Sequence, residues 1–196
     1  MSIARRAAGY AALCTALAIL ATAAVAAMPG ARAWAVNARG GISASESEPV
    51  EPTEPTAPAG KAILVGSRAI APVDAPPAVK KVIAAANKIR AKPYIWGGGH
   101  GRWWDRGYDC SGAVSYALHG GNLITSPMPS GPMTHWGEPG PGRWITVYAN
   151  AGHAYAVIAG LRWDTAGDTS GTGPRWHPEL GAAAGGRFVV RHPTGY

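Results

Sequence analysis

Tyr108-Asp109-Cys110-Ser111-Gly112 opens the stretch on which the reading of this chain turns. Asp is a strong N-cap residue, so Asp109 predicts a helix beginning at Cys110. The helix runs to His119, where Gly120-Gly121 stop it. Cys110 then occupies the first turn. Unpaired backbone N–H groups and the helix dipole favour an anion there, so the position suits a thiolate nucleophile. The same N–H groups suit an oxyanion. Gly112 leaves no side chain beside the sulfur, which lets a substrate backbone approach. A structural cysteine, buried and inert, fits the same place.

Working outward, Val79, Val82, Ile83, Ala86 and Ile89 recur at helical spacing, with Lys80, Lys81, Lys88 and Arg90 off that face. Asp74 is the expected cap of this earlier helix, with Pro76 and Pro77 in its first turn and Pro93 ending it. A Gly-rich turn, Trp96-Gly-Gly-Gly-His100, joins the two helices. Residues 122–142 are rich in Pro, Gly and Ser and read as loop. Strand-like runs follow at 144–148, 153–159, 161–164 and 188–191. Helices first and strands afterwards predict an α+β fold, with N-terminal helices packed on an antiparallel sheet. The domain spans 76–196, about 120 residues, enough to bury its own core.

A thiolate needs a base. Of six histidines, His153 stands at the start of the run Gly152-His-Ala-Tyr-Ala-Val-Ile158. If Ala159-Gly160 is a two-residue turn, Ile158 pairs with Leu161, Val157 with Arg162 and Tyr155 with Asp164. His153, Tyr155, Arg162 and Asp164 then share one face, and Asp164 is diagonal to His153. A carboxylate there holds one ring nitrogen and aims the other at a thiolate. Arg162 is the competing partner for Asp164, and Asp168 a second candidate orienter.

Composition bounds the rest. The chain has 196 residues, 47% hydrophobic and 15% charged, with 27 Gly and 17 Pro; it is too apolar for disorder throughout and too broken for a helical repeat. Residues 1–35 read as a secretory signal. Arg5 and Arg6 precede an apolar run over 7–27, and Ala31-Arg-Ala33 and Ala33-Trp-Ala35 both fit a small-x-small cleavage site. An uncleaved membrane anchor is the rival reading. Cys14 sits inside the run, after Leu13, which does not fit a lipoprotein signal. Removing 1–35 takes the net charge from +7 to +4 and leaves Cys110 as the single cysteine. In an exported protein an odd thiol is a reactive group, an intermolecular bridge or an inert core residue. Residues 36–75 read as a linker, acidic through Glu46, Glu48, Glu51 and Glu54 and stiffened by prolines at 49, 52, 55 and 58. Within it, 62–65 are also compatible with a short edge strand.

Three motifs occur in order: Pro93-Tyr-Ile-Trp-Gly-Gly98, Tyr108-Asp-Cys-Ser-Gly112 and Gly152-His-Ala-Tyr-Ala-Val-Ile158. Together they resemble the NlpC family of bacterial cell-wall cysteine endopeptidases. The resemblance covers roughly residues 76–165. It implies a compact papain-like fold, Cys110 as nucleophile, His153 as base and a third polar residue on the next strand. Relatives often place His, Asn or Gln there; this chain offers Asp164. It also implies that Tyr94 lines the cleft near the thiolate and that Asp109 and Ser111 flank the nucleophile and touch the peptide. Ordinary aromatic packing for Tyr94 and a pure helix cap for Asp109 are the alternatives. His100, Trp103 and Trp104 lie in an insertion longer than the family leads one to expect; they shape specificity or cover the core.

The expected activity is hydrolysis of an amide in peptidoglycan stem peptides by an exported, monomeric enzyme of the cell envelope, with no cofactor and no metal. No His-Glu-x-x-His or Cys-x-x-Cys motif occurs. Nucleic acid is not an expected partner, because the positive charge from Lys61 onward is spread rather than clustered. An anionic wall is the simpler attractor. Two alternatives stay open: a non-catalytic wall-binding module on the same fold, and a transferase using the same Cys-His pair.

Overall fold

The computed structural model describes residues 55–166, 173–178 and 186–196. The expected signal, the acidic part of the linker and Asp168 lie outside them. Among the described residues no helix is long and apolar enough to cross a membrane.

Two main helices lead the domain. Helix α1, Pro77–Ile89, buries Val79, Val82, Ile83, Ala86 and Ile89, the stripe expected from its spacing. Its cap differs from expectation. Pro76 stands at the N-cap with no side-chain cap bond, and Asp74 Oδ1 instead accepts the Gly60 N–H at 2.7 Å. Helix α2, Cys110–Gly120, starts where predicted, and Asp109 Oδ1 caps it by accepting the Gly112 N–H at 2.7 Å. Its end is set by a different residue than expected. Gly121 has φ −90°, and Asn122, at φ 59°, takes the left-handed position. The Leu123 N–H then reaches Leu118 O and the Asn122 N–H reaches His119 O, closing a Schellman motif. Gly120 and Gly121 serve packing instead: a Cβ on either would collide with Ala85 or Val82 of α1.

The strands begin earlier than the sequence pattern indicates. Strands β1, Ile63–Val65, and β2, Arg68–Ile70, form an antiparallel hairpin. Residues 57–75, which read as linker, are therefore packed domain structure. Ala62, Ala69 and Ala75 are buried in the common core, and the Ala62 N–H donates to Ala159 O at 2.8 Å. Their small apolar side chains leave little signal, yet they fill a seat on α1. The stretch 122–142 is not wholly loop: it holds a one-turn helix α3, Ser130–Met133, and a two-residue strand β3, Glu138–Pro139.

The remaining strands are β4 (Ile145–Ala149), β5 (Ala154–Ile158), β6 (Leu161–Asp164), β7 (Arg175–His177) and β8 (Val189–His192). With β3 they form, among the described residues, one antiparallel sheet in the order β3-β8-β4-β5-β6-β7. The class is α+β, with helices against an antiparallel sheet, as expected. Residues 175–177 form edge strand β7, where Asp164 pairs with Arg175. The β5–β6 register is the expected one: Ile158 faces Leu161 and Val157 faces Arg162. Ala159 and Gly160 both have positive φ, 47° and 84°, as a two-residue turn of this hand requires.

Two buried polar links fix the layers. Trp163, fully buried on β6, donates its indole N–H to Ala113 O of α2 at 3.1 Å. Asn87 on α1 accepts from the Ala69 N–H and from the Trp176 indole, and donates to Ala69 O at 2.8 Å. One amide thus joins β2, α1 and β7, and its buried polar atoms are satisfied.

Candidate active site

Cys110 is buried at the first turn of α2, over the start of β5. The Gly-rich turn after Trp96 reaches it through a close backbone approach. The Asp109 N–H donates to Gly98 O at 3.2 Å, and a Cβ on Gly112 would collide with that same carbonyl. Gly112 therefore makes room for the Gly98 backbone; this is its structural role, in place of the substrate clearance expected from the sequence.

His153 sits just before β5 and is aimed from both sides. Asn150 Oδ1 accepts the N–H groups of Gly152 and His153, each at 2.9 Å, and the Asn150 N–H donates to His153 O at 2.9 Å. The His153 Nε2 donates to Asp164 Oδ1 at 2.9 Å. Cys110 is close enough to the ring to act on its pKa. With Nε2 turned to the carboxylate, Nδ1 is the nitrogen left for the sulfur. Phe188, from the tail for which the sequence offers no role, meets the ring edge-on at 6.2 Å between centroids.

Asp164 is fully enclosed, and both oxygens are used. Besides His153, Oδ1 accepts the Thr165 N–H at 2.7 Å and the Ala166 N–H at 3.1 Å. Oδ2 takes the Arg162 guanidinium through Nε at 2.9 Å and through Nη2. The two partners suggested by the sequence are not exclusive: Arg162 occupies one oxygen and His153 the other. The Arg162 guanidinium also lies 4.5 Å over the Tyr155 ring.

These contacts set the charge states. Burial of the His153 ring disfavours its charged form. The hydrogen bond to Asp164, the nearby Cys110 and the negative charge of both outweigh that and raise its pKa from 6.5 to about 9. Burial likewise disfavours the Asp164 carboxylate, but His153 and Arg162 hold its pKa below the ordinary carboxylate value. The Tyr94 phenol is pushed up, first by burial and then by the charges of Cys110 and Asp109.

A cavity of about 370 Å³ opens at Cys110. Tyr94, Trp96, His100, Asp109 and Ser111 line it. The substrate-side residues expected from sequence are thus in one cleft with the cysteine. Ser111 Oγ is directed at Asp109 Oδ1, 3.1 Å away, and Asp109 also meets His100 at 3.0 Å, so Asp109 is more than a cap. Trp96 is 87% exposed at this cleft, which argues against a packing role. The 100–107 insertion folds back on α2. The Trp103 ring stacks on His119 at 3.8 Å, and the Tyr108 hydroxyl donates to Trp103 O at 2.7 Å.

Sequence reasoning passes over Asn150 and Phe188 and gives His100 no defined contact. Asn150 three residues before His153 is a legible Asx-turn signal. Phe188 carries none, because only the fold brings it to the ring. Among the described residues no group of three His, Cys, Asp or Glu side chains is placed to hold a metal ion.

No family model matches the chain, and no curated protein does. Solved structures are similar to it. The peptidoglycan hydrolase RipB of Mycobacterium tuberculosis is 26% identical over 61% of this chain and 66% of that one, with a TM-score of 0.47. An NlpC/P60 family protein of Bacillus cereus is 20% identical over 60% of this chain and 40% of that one, TM-score 0.46. RipD of M. tuberculosis, described as a non-catalytic NlpC/p60 domain protein adapted to peptidoglycan binding, is 21% identical over 60% and 98%, TM-score 0.44. The chain spans just under two thirds of RipB's length. The family that the three motifs resemble and the family named for the B. cereus protein and for RipD are the same.

Proposed function

We propose that this chain is an exported cysteine peptidase that hydrolyses an amide bond in peptidoglycan stem peptides. The observation that carries the reading is the line Cys110–His153–Asp164, set at a helix start inside a peptide-sized cleft. Cys110 attacks the amide carbonyl as the thiolate, forming the S–C bond. The N–H groups of Cys110 and Ser111, in the first turn before the helix's own bonds begin, face the developing oxyanion. His153 carries its second proton at neutral pH and delivers it to the leaving amine as the C–N bond breaks. The neutral ring then takes a proton from water, whose oxygen attacks the acyl carbon; the C–S bond breaks, the acid is released and the thiolate–imidazolium pair is restored. Asp164 stays ionised and orients the ring. Tyr94, Asp109 and Ser111 form the wall against which the peptide lies.

The peptide class rests on the motif resemblance, and the basic charge of the domain suits an anionic wall. Purified protein is incubated with defined stem peptides and read by mass spectrometry. Cleavage at one amide is expected, and none by Cys110→Ala with the thermal midpoint within a few degrees of the parent. Retained cleavage by that variant removes the nucleophile assignment. Binding without cleavage by the parent points to the wall-binding module, and transfer to an added amine points to the transferase.

A further inference from the structure

His100 lines the Cys110 cleft, and the chemistry above does not use it. It enters from the Gly-rich turn after Trp96. Its Nε2 lies 3.0 Å from Asp109 Oδ1 and 3.2 Å from Ser111 Oγ. A carboxylate only accepts, so Nε2 bears the hydrogen. Ser111 spends its own hydroxyl hydrogen on Asp109 Oδ1 at 3.1 Å, so toward His100 its oxygen is an acceptor too. These contacts fix one tautomer, with N–H at Nε2 and a lone pair at Nδ1 of the neutral ring. Among the described residues no group bonds Nδ1. The side chain is held in place yet 23% exposed, which leaves it open to a molecule in the cleft.

We propose that His100 is a specificity residue whose Nδ1 accepts a backbone N–H from the peptide lying beside Cys110. The inference rests on the peptide reading of the cleft. The surroundings select the ligand group. Nδ1 stands next to the Asp109 carboxylate, whose Oδ2 takes only the Gly97 N–H, at 3.0 Å, among the described residues. A carboxylate, phosphate or carbonyl oxygen would face a lone pair and a negative charge. An N–H donor meets both favourably. A peptide supplies such donors at every residue, and fixing one of them fixes the register of the chain along the sulfur.

The test is a cross between ligand and protein. A synthetic stem peptide and its singly N-methylated forms are titrated into Cys110→Ala, with His100 present or replaced. His100→Gln keeps an N–H near the Nε2 position, for Asp109, and lacks the Nδ1 acceptor. His100→Asn puts a carbonyl oxygen near the Nδ1 position. One N-methylation is expected to weaken binding about tenfold with His100 present and to have no effect in His100→Gln. His100→Asn recovers most of the affinity that His100→Gln loses. Equal N-methylation penalties in both forms overturn the assignment, as does absence of binding. A peptide that shows the His100 pattern yet is never cleaved by the parent protein overturns the hydrolase reading alone. One that is cleaved but shows unchanged penalties overturns the His100 assignment alone.

Discussion

Replacing Asp164 by Asn separates the charge of the third residue from its shape. Asn keeps an oxygen that can accept the His153 Nε2–H but removes the negative charge 2.9 Å from the ring. The charged ring and carboxylate attract by several kcal/mol at the dielectric suited to a partly buried pair. That attraction opposes the burial which by itself lowers the His153 pKa. The net rise from 6.5 to about 9 is worth about 3 kcal/mol in favour of the imidazolium. Without the charge, burial offsets most of what the remaining hydrogen bonds add, and the midpoint is expected to fall by about two pH units, to near the ordinary imidazole value. The readout is an NMR titration of the His153 ring in parent and variant. A variant midpoint within a few tenths of the parent's refutes the claim that Asp164 sets the ring's charge. Stability moves in the same experiment. The folded-state His153 pKa lies above the unfolded one, so its contribution is complete below pH 6.5 and is lost as pH rises through about 9. Thermal midpoints of the parent should therefore drop between pH 7 and pH 10, and Asp164→Asn should flatten that drop. The variant also removes the negative charge that Arg162 meets at Asp164 Oδ2, so a loss of stability beyond the His153 contribution is expected.

Three further outcomes follow from other parts of the site. Gly112→Ala forces a methyl group into the Gly98 carbonyl and should destabilise by about 1–3 kcal/mol in denaturant unfolding, with loss of cleavage beyond what the unfolded fraction explains. Asn150→Ala removes the acceptor that holds the Gly152 and His153 N–H groups; kcat should fall at least tenfold while KM stays nearly constant. Trp96→Ala should leave the thermal midpoint unchanged, because the side chain is exposed, but weaken sedimentation with purified peptidoglycan several-fold.

The parts of this fold that are legible in the sequence are those carried by local chemistry. Asp109 caps the helix that begins at Cys110, and the apolar stripe of α1 is buried as spaced. The two-residue turn at Ala159-Gly160 sets the β5–β6 register, and strand alternation from that turn is enough to bring Asp164 beside His153. What the sequence conceals depends on distant partners. Ala62, Ala69 and Ala75 read as linker because small residues show no strong period, yet each is buried by α1 and the sheet. Gly120 and Gly121 look like a helix stop, while Asn122 is the left-handed residue and the glycines answer to Ala85 and Val82. Phe188 and His100 reach the site from loops whose course only tertiary packing decides.

The N-terminal hairpin bears on how this domain can be cut free. A fragment beginning at residue 76 would keep every residue of the cleft and lose β1 and β2. It would bare the apolar surface that Ala62 and Ala69 cover and leave the Asn87 amide without the Ala69 backbone. It would also take away the strand end tied to Ala159, at the turn that sets the β5–β6 register and so the distance from His153 to Asp164. The portable domain accordingly begins before Ala57, which is buried and forms a parallel backbone bridge with Pro72, and not at the first helix.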